Sequence, residues 1–345
     1  MSAQGWWRRS AVGLLVVLLA VAFVANLGAG AVTVPPGDVV AVLLHHAGLG
    51  DSGAVPKFDA VVWDIRLPRA VLAALVGGAL AVAGAALQAV FRNPLAEPRV
   101  IGVANGAAVG AVATIVLGFE VVGIYTVPLA AFVAGLAATG VVFLVATQGN
   151  RTETVTLLLA GIAVEVTAAA GTGLLIFLAD DQQLRDIVFW TLGSLAGATW
   201  TQIAAIGPPI LLATIGLCVL GRDLDLLALG DREAGHLGVR VGQIRGLVVV
   251  LAALATGAAV AVAGVVGFVG LVVPHIVRLA LGPEHRRLIP ASALGGAALL
   301  LVADLVARTL VVPRELPLGV VTALVGGPYF LWLIRSQRTE EGGWG

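Results

Sequence analysis

Residues 70–91 read "AVLAALVGGALAVAGAALQAVF" and hold no charged side chain. As a helix, such a run is about 30 Å long, the thickness of a bilayer's hydrocarbon core. Similar runs recur along the chain. In lipid, every backbone N–H and C=O needs a partner inside the protein, and a helix supplies them within one segment. Composition supports the same reading: 59% of the 345 residues are hydrophobic and only 12% are charged, against about 25% charged in soluble domains. A soluble bundle would need polar helix faces that are missing here. The fold class is therefore all-α, a polytopic membrane protein. Its 45 glycines suit close helix crossings in lipid, where small residues let backbones approach.

Apolar runs and their breakers predict ten spans. They fall at about 11–30, 67–91, 100–118, 123–147, 154–178, 199–220, 243–266, 268–281, 288–311 and 317–335, the eighth being short. The first resembles a signal peptide, but its apolar run from Ala11 to Leu27 exceeds the usual 7–15 residues, roughly, of such a leader. Arg8 and Arg9 would hold its start inside. Ten spans put both termini on one side. With the N-terminus inside, only Lys57, Arg66, Arg69, Arg185, Arg308 and Arg314 of the basic residues lie outside, while Asp38, Asp51, Asp59, Asp64, Glu120, Asp180, Asp181 and Asp186 crowd there. That bias follows the positive-inside rule, so both termini are expected in the cytoplasm. "LAVAG" (80–84) before Pro94 and "VAVAG" (260–264) before Pro274 form a weak repeat. It reads either as an inverted repeat of the transporter kind or as chance matching in Ala/Gly/Val-rich sequence.

The formal net charge of zero gives no footprint for nucleic acid. The single cysteine, Cys218, excludes an internal disulfide framework, and the five histidines lack metal-ligand spacing. The adjacent His45 and His46 read as a solvated loop. Lys57 is the only lysine, so the chain holds no P-loop lysine and is not expected to bind ATP or any cofactor itself. No nucleophile, metal or acid–base set of an enzyme stands out.

Two acids fall inside spans, Glu165 and Asp304. A mid-membrane charge costs about 2.5–3.5 kcal/mol on insertion scales. Asp304 has Arg308 one turn on as a partner. Glu165 has no local partner and stays open as a pathway or ion-relay residue. On the outer side, "LADDQQLRDIVFWTLGSLAGATW" (178–200) predicts a short interfacial helix within 179–198. Phe189 and Trp190 read as interface aromatics, or as an aromatic vestibule beside Arg185 that would suit a flat anionic ligand. Arg66 and Arg69 sit at a helix start, where cations are disfavoured. Together with Arg314 they ask for an anionic partner, either lipid phosphate or the carboxylates of a docking protein. Between the sixth and seventh spans lies a charged island, "LGDREAGHLGVRVGQIR" (229–245).

The strings "RLPRAVLAALVGGALAVAGAALQAVFRNPLAEPRVIGVANGAAVGA" (66–111), "LGDREAGHLGVRVG" (229–242), "GFVGLVVPHIVRLALGPEHRRLIP" (267–290) and "ADLVARTLVVPRELPLGVVTALVGGPYFLWL" (303–333) resemble the permease subunits of type II ABC importers, the FecCD-like family. The resemblance covers nearly the whole chain, as one permease domain of residues 1–345. It implies a homodimer in a bacterial cytoplasmic membrane with its interface on spans five and ten, two cytoplasmic ATP-binding subunits and an extracytoplasmic substrate-binding protein. Residues 222–242 would form two cytoplasmic coupling helices, with Arg222, Asp231, Arg232, Glu233, Ala234, His236, Leu237 and Gly238 at the ATPase contact. Gly230, Gly235 and Gly238 would supply their turns. Arg66, Arg69 and Arg314 would meet glutamates of the binding protein. "GNRTET" (149–154), with Arg151, Thr152, Glu153 and Thr154, matches the cytoplasmic gate. Segment 177–200 is most similar to haem-importing members, which makes haem the expected cargo, ahead of a ferric siderophore and cobalamin. Arg185, Glu165, Phe189 and Trp190 are the expected pathway residues. An ion-coupled carrier acting alone is the other class, and Glu165 is its best support.

Overall fold

A computed structural model describes residues 3–49, 57–148 and 151–340. In chain order its helices are α1 (Ala3–Gly28), α2 (Pro36–His46), α3 (Leu67–Phe91), α4 (Val103–Leu117), α5 (Thr126–Ala146), α6 (Thr154–Leu178) and α7 (Asp181–Leu192). They continue with α8 (Trp200–Val219), α9 (Gly221–Ala228), α10 (Asp231–His236), α11 (Val241–Ala263), α12 (Val269–Leu281), α13 (His285–Thr309) and α14 (Leu318–Glu340). The strands among the described residues are β1 (Thr147–Gln148) and β2 (Arg151–Thr152), an antiparallel pair with Thr147 opposite Thr152.

Each of the ten expected spans is a helix. Among the described residues, seven helical segments are long and apolar enough to cross a membrane. The short eighth span is α12, and α4 and the apolar part of α14 are short as well. The second span is longer than its sequence pattern indicated. A π-helical stretch, Ala60–Arg66, runs straight into α3. Pro68 explains the wider turn there. It lacks an N–H, and its ring crowds the carbonyl one turn back, which a π register relieves. Helix α2 was not foreseen; His45 and His46 form its last turn instead of a loop.

Helix α3 is the axis of the bundle. Only Val71, Ala74 and Leu75 of it escape full burial. It packs on α8, α11, α12 and α13. A Cβ placed on Gly77 would lie 2.2 Å from the Gly296 carbonyl oxygen, and the reverse distance is also 2.2 Å. The backbones of α3 and α13 therefore touch. Lipid provides no hydrophobic drive between helices, so this contact area carries the association. Helix α6 is the opposite case: only Leu157, Ala160 and Gly161 are buried in it. The weak repeat has no shared local form. Gly84 lies inside α3, while Gly264 ends α11 with a left-handed φ of 68°.

Candidate functional sites

The charged island folds as α9 and α10. Gly230 breaks the helix between them with φ 128°, and Gly238 follows α10 with φ 89°. Gly235 makes no turn, since it sits within α10 with open space around it. Leu224, Leu227 and Ala234 point inward and are buried. Ala234 is thus an anchor of this segment and not part of its outer surface. Arg222, Asp231, Arg232, Glu233, His236, Leu237 and Gly238 are exposed. Leu229 and Leu237 expose large apolar side chains among these charges. Asp225 of α9 accepts hydrogen bonds from the His285 N–H at 2.6 Å and from Nδ1 at 2.8 Å, which ties α9 to the start of α13.

Arg245, one turn into α11, joins this surface to the β1–β2 hairpin. Its Nη2 donates to both Asp231 oxygens, at 2.8 and 2.9 Å, and its Nη1 donates to the Thr152 carbonyl. Its side chain is buried. Arg92, left-handed at the end of α3, comes within 4.0 Å of the same aspartate. Glu153 accepts from the Thr156 hydroxyl at 2.6 Å, and its backbone caps the start of α6 beside Thr154. Gly149, Asn150 and the side chain of Arg151 lie outside the described residues. A cavity of about 810 Å³ opens between hairpin and α10, lined by Thr152, Glu153, Asp231, Arg232 and Arg245. Sequence spacing gave Arg245 no role. Its signal was available, however: a charge inside an apolar run needs a partner.

The expected outward cations behave differently from one another. Arg314 is exposed. Arg66 and Arg69 are buried and satisfied within the chain, which corrects the picture of two free arginines. Arg66 donates to the carbonyls of Leu27 and Gly28, both at 2.8 Å, and of Val32. Arg69 bonds Asp304 at 2.9–3.1 Å and forms a fork with Glu315 at 2.9 and 3.0 Å. Arg308, the neighbour expected to pair with Asp304, is farther away at 3.7 Å and bonds Asn26 of α1. Arg69 is closer because its planar fork serves two carboxylates at once. This network staples α1, α3 and α13 at one end of the bundle.

Helix α7 begins with a capping box. Asp180 accepts from the Gln182 and Gln183 N–H groups at 2.8 Å each. Arg185 is exposed and donates to Gln182 at 2.7 Å. Phe189 is exposed as well. Trp190 packs, partly buried, against the small cluster of Ala107, Ala111, Ala131 and Val260.

Glu165 has a partner after all, and it comes from a distant segment. Arg99, on the helical turn Pro98–Ile101, brings Nη2 to 3.9 Å from Glu165 Oε1. Gly161, one turn before Glu165, makes this possible. A Cβ there would lie 1.9 Å from the Val100 carbonyl oxygen, so the turn rests on bare backbone. Glu97 accepts from the N–H of Phe268 at 3.1 Å. Burial raises the Glu97 carboxyl above its ordinary range, while Arg99 acts the other way. These groups border a cavity of about 400 Å³ between the turn, α6 and α14.

The helical architecture defines a multi-pass membrane protein. Comparison with known proteins narrows that class. The model of the FecCD transport family matches residues 18–336. The chain is 47% identical over 290 residues to the hemin transport system permease protein HmuU of Yersinia pestis, covering 82% of this chain and 85% of that one. It is 42% identical over 300 residues to the cobalamin import system permease protein BtuC of Halobacterium salinarum, covering 87% and 80%. A solved structure described as an inward-facing conformation of a metal-chelate type ABC transporter superposes with a TM-score of 0.83 at 32% identity, covering 95% of this chain and 99% of that one. The chain belongs to the FecCD transport family and is an ABC importer permease.

Proposed function

We propose that this permease carries haem across a bacterial cytoplasmic membrane, with both termini in the cytoplasm. The 47% identity to a hemin transport permease carries the substrate reading. Exposed Arg185 and Phe189 on α7 fit a flat anionic cargo. Energy comes from two separate ATP-binding subunits docked on α9 and α10, whose outer surface mixes charges with Leu229 and Leu237. A binding protein delivers the cargo at the opposite end, where Arg314 is the free cation among the three arginines assigned to docking. A second copy completes the pathway. The almost bare face of α6 supports this, because Glu165 lies midway along that helix and is too costly to turn toward lipid.

Arg245 is the positioning residue between the ATPase surface and the hairpin gate. Arg245→Gln removes the charged bond to Asp231 and is expected to lower uptake at least about tenfold while the ATPase subunits stay bound. Uptake that stays at the wild-type level would remove Arg245 from that role. The test of the whole reading is ATP-driven haem uptake in proteoliposomes holding permease, ATPase and binding protein. Vanadate-sensitive haem uptake supports it. Uptake driven by a proton gradient without the ATPase would establish the lone-carrier class instead. Cobalamin is the second reading, favoured by the 42% identity to a cobalamin permease. Uptake of cobalamin and not haem would select it.

A further inference from the structure

We infer that Arg99 and Glu165 form an exchangeable ion pair that selects for carboxylate groups on the transported molecule. The inference rests on the importer reading and adds a specificity determinant to it. Three observations carry it. First, the pair is loose and open: its atoms are 3.9 Å apart, beyond hydrogen-bond reach, with the two side chains 50% and 42% exposed. Second, among the described residues Glu165 is the one carboxylate within 4.0 Å of the Arg99 guanidinium, while nearby Glu97, which also feels the Arg99 charge, accepts from the Phe268 N–H. Third, the pair borders a cavity of about 400 Å³ whose other walls include Glu97 as well as Phe268, Leu271 and Phe330, a volume within the range of about 300–1,000 Å³ for small-molecule sites.

The chemistry follows from those facts. At 3.9 Å the pair has no hydrogen bond to break when Arg99 turns from Glu165. A ligand carboxylate can bond the guanidinium fork bidentately, which Glu165 does not do here. Arg99 then passes from Glu165 to the ligand as the ligand enters and returns as it leaves. The phenyl rings give the ligand's apolar body a surface beside the cation. A cargo whose side chains are amides offers no charge to replace Glu165 and gains nothing from Arg99. The ligand class is a metal chelate with a flat apolar body and free carboxylates. Gly161 fixes the backbone of the turn against α6, so only the side chains need to move.

The test compares wild type, Arg99→Gln, Glu165→Gln and the double variant in the complete reconstituted transporter, with haem as probe. A ferric tricarboxylate chelate and cobalamin serve as comparison cargoes. Haem binding to the purified permease, read by tryptophan quenching, runs alongside, since it needs neither ATP nor docking. Arg99→Gln is expected to weaken haem binding and uptake about tenfold or more, with stimulation of ATP hydrolysis by the loaded binding protein unchanged. Glu165→Gln should keep or raise both, and the double variant should behave as Arg99→Gln. Equal losses in Arg99→Gln and Glu165→Gln would make the pair a structural clamp and overturn the proposal. Unchanged haem binding in Arg99→Gln would overturn it too. If wild type takes up the tricarboxylate chelate and not haem, the haem reading fails, and sensitivity of that uptake to Arg99→Gln still upholds the exchange. If wild type carries cobalamin alone, both fail.

Discussion

Helices α3 and α6 are each 25 residues long and almost wholly apolar, yet the fold uses them in opposite ways. Helix α3 is enclosed on all sides, and the arginines at its start are locked to Asp304, Glu315 and main-chain carbonyls. Helix α6 is nearly bare, and its one acid meets a half-exposed arginine loosely. The same residue types thus hold the bundle together at one place and remain movable at the other. Enclosure makes the difference. A buried charge needs a fixed partner, because the alternative is an uncompensated charge in a low dielectric. A loosely held one has no hydrogen bond to break when it changes partner.

Stability measurements on the detergent-solubilised permease can break that contrast. The largest effect is expected for Arg69→Ala, which strands the buried Asp304 carboxylate. Removing one member of a buried pair costs about 3–5 kcal/mol, visible as a clear drop in thermal unfolding temperature. Adding Asp304→Asn should recover part of it. Next comes Gly77→Ala, where the new Cβ would meet the Gly296 carbonyl at 2.2 Å. Forcing α3 from α13 should cost about 1–3 kcal/mol, while Gly171→Ala in α6, with nothing within 4 Å, should stay within about 0.5 kcal/mol. Glu165→Gln should be smallest, at about 0–1 kcal/mol. If Glu165→Gln destabilises as much as Arg69→Ala, the two ionic sites do not differ in kind. A Gly77→Ala variant with wild-type stability would show that the α3–α13 crossing is not close.

Much of the fold was legible because apolar length alone selects membrane helices. The apolar spans and the short helix within 179–198 follow from local pattern, whereas the helical pair around Gly230 was implied by the family resemblance. The site was legible where its charges lie close together in the chain, as in 229–245. It was illegible where partners meet from afar. Glu165 had no neighbour of opposite sign within a turn, and Arg99 reaches it only because Val100 rests on Gly161. Arg69 opens the second span and Glu315 lies in the loop between the ninth and tenth, so their pairing left no periodic trace. Trp190 stayed open between interface aromatic and vestibule aromatic, because a tryptophan near a membrane interface reads alike whether it faces ligand or core.

By itself the sequence determined the class of protein, a multi-pass helical membrane protein, and the place of the charged module. Hydropathy acts residue by residue, so apolar runs of bilayer length announce membrane helices locally. Tertiary structure alone decided which arginines are free. Arg66 and Arg69 became staples, Arg245 became a link from α10 to the hairpin, and Arg99 was left open beside Glu165. These outcomes depend on which helices touch, and two glycine contacts, Gly77 with Gly296 and Gly161 with Val100, set that through distances no single segment encodes.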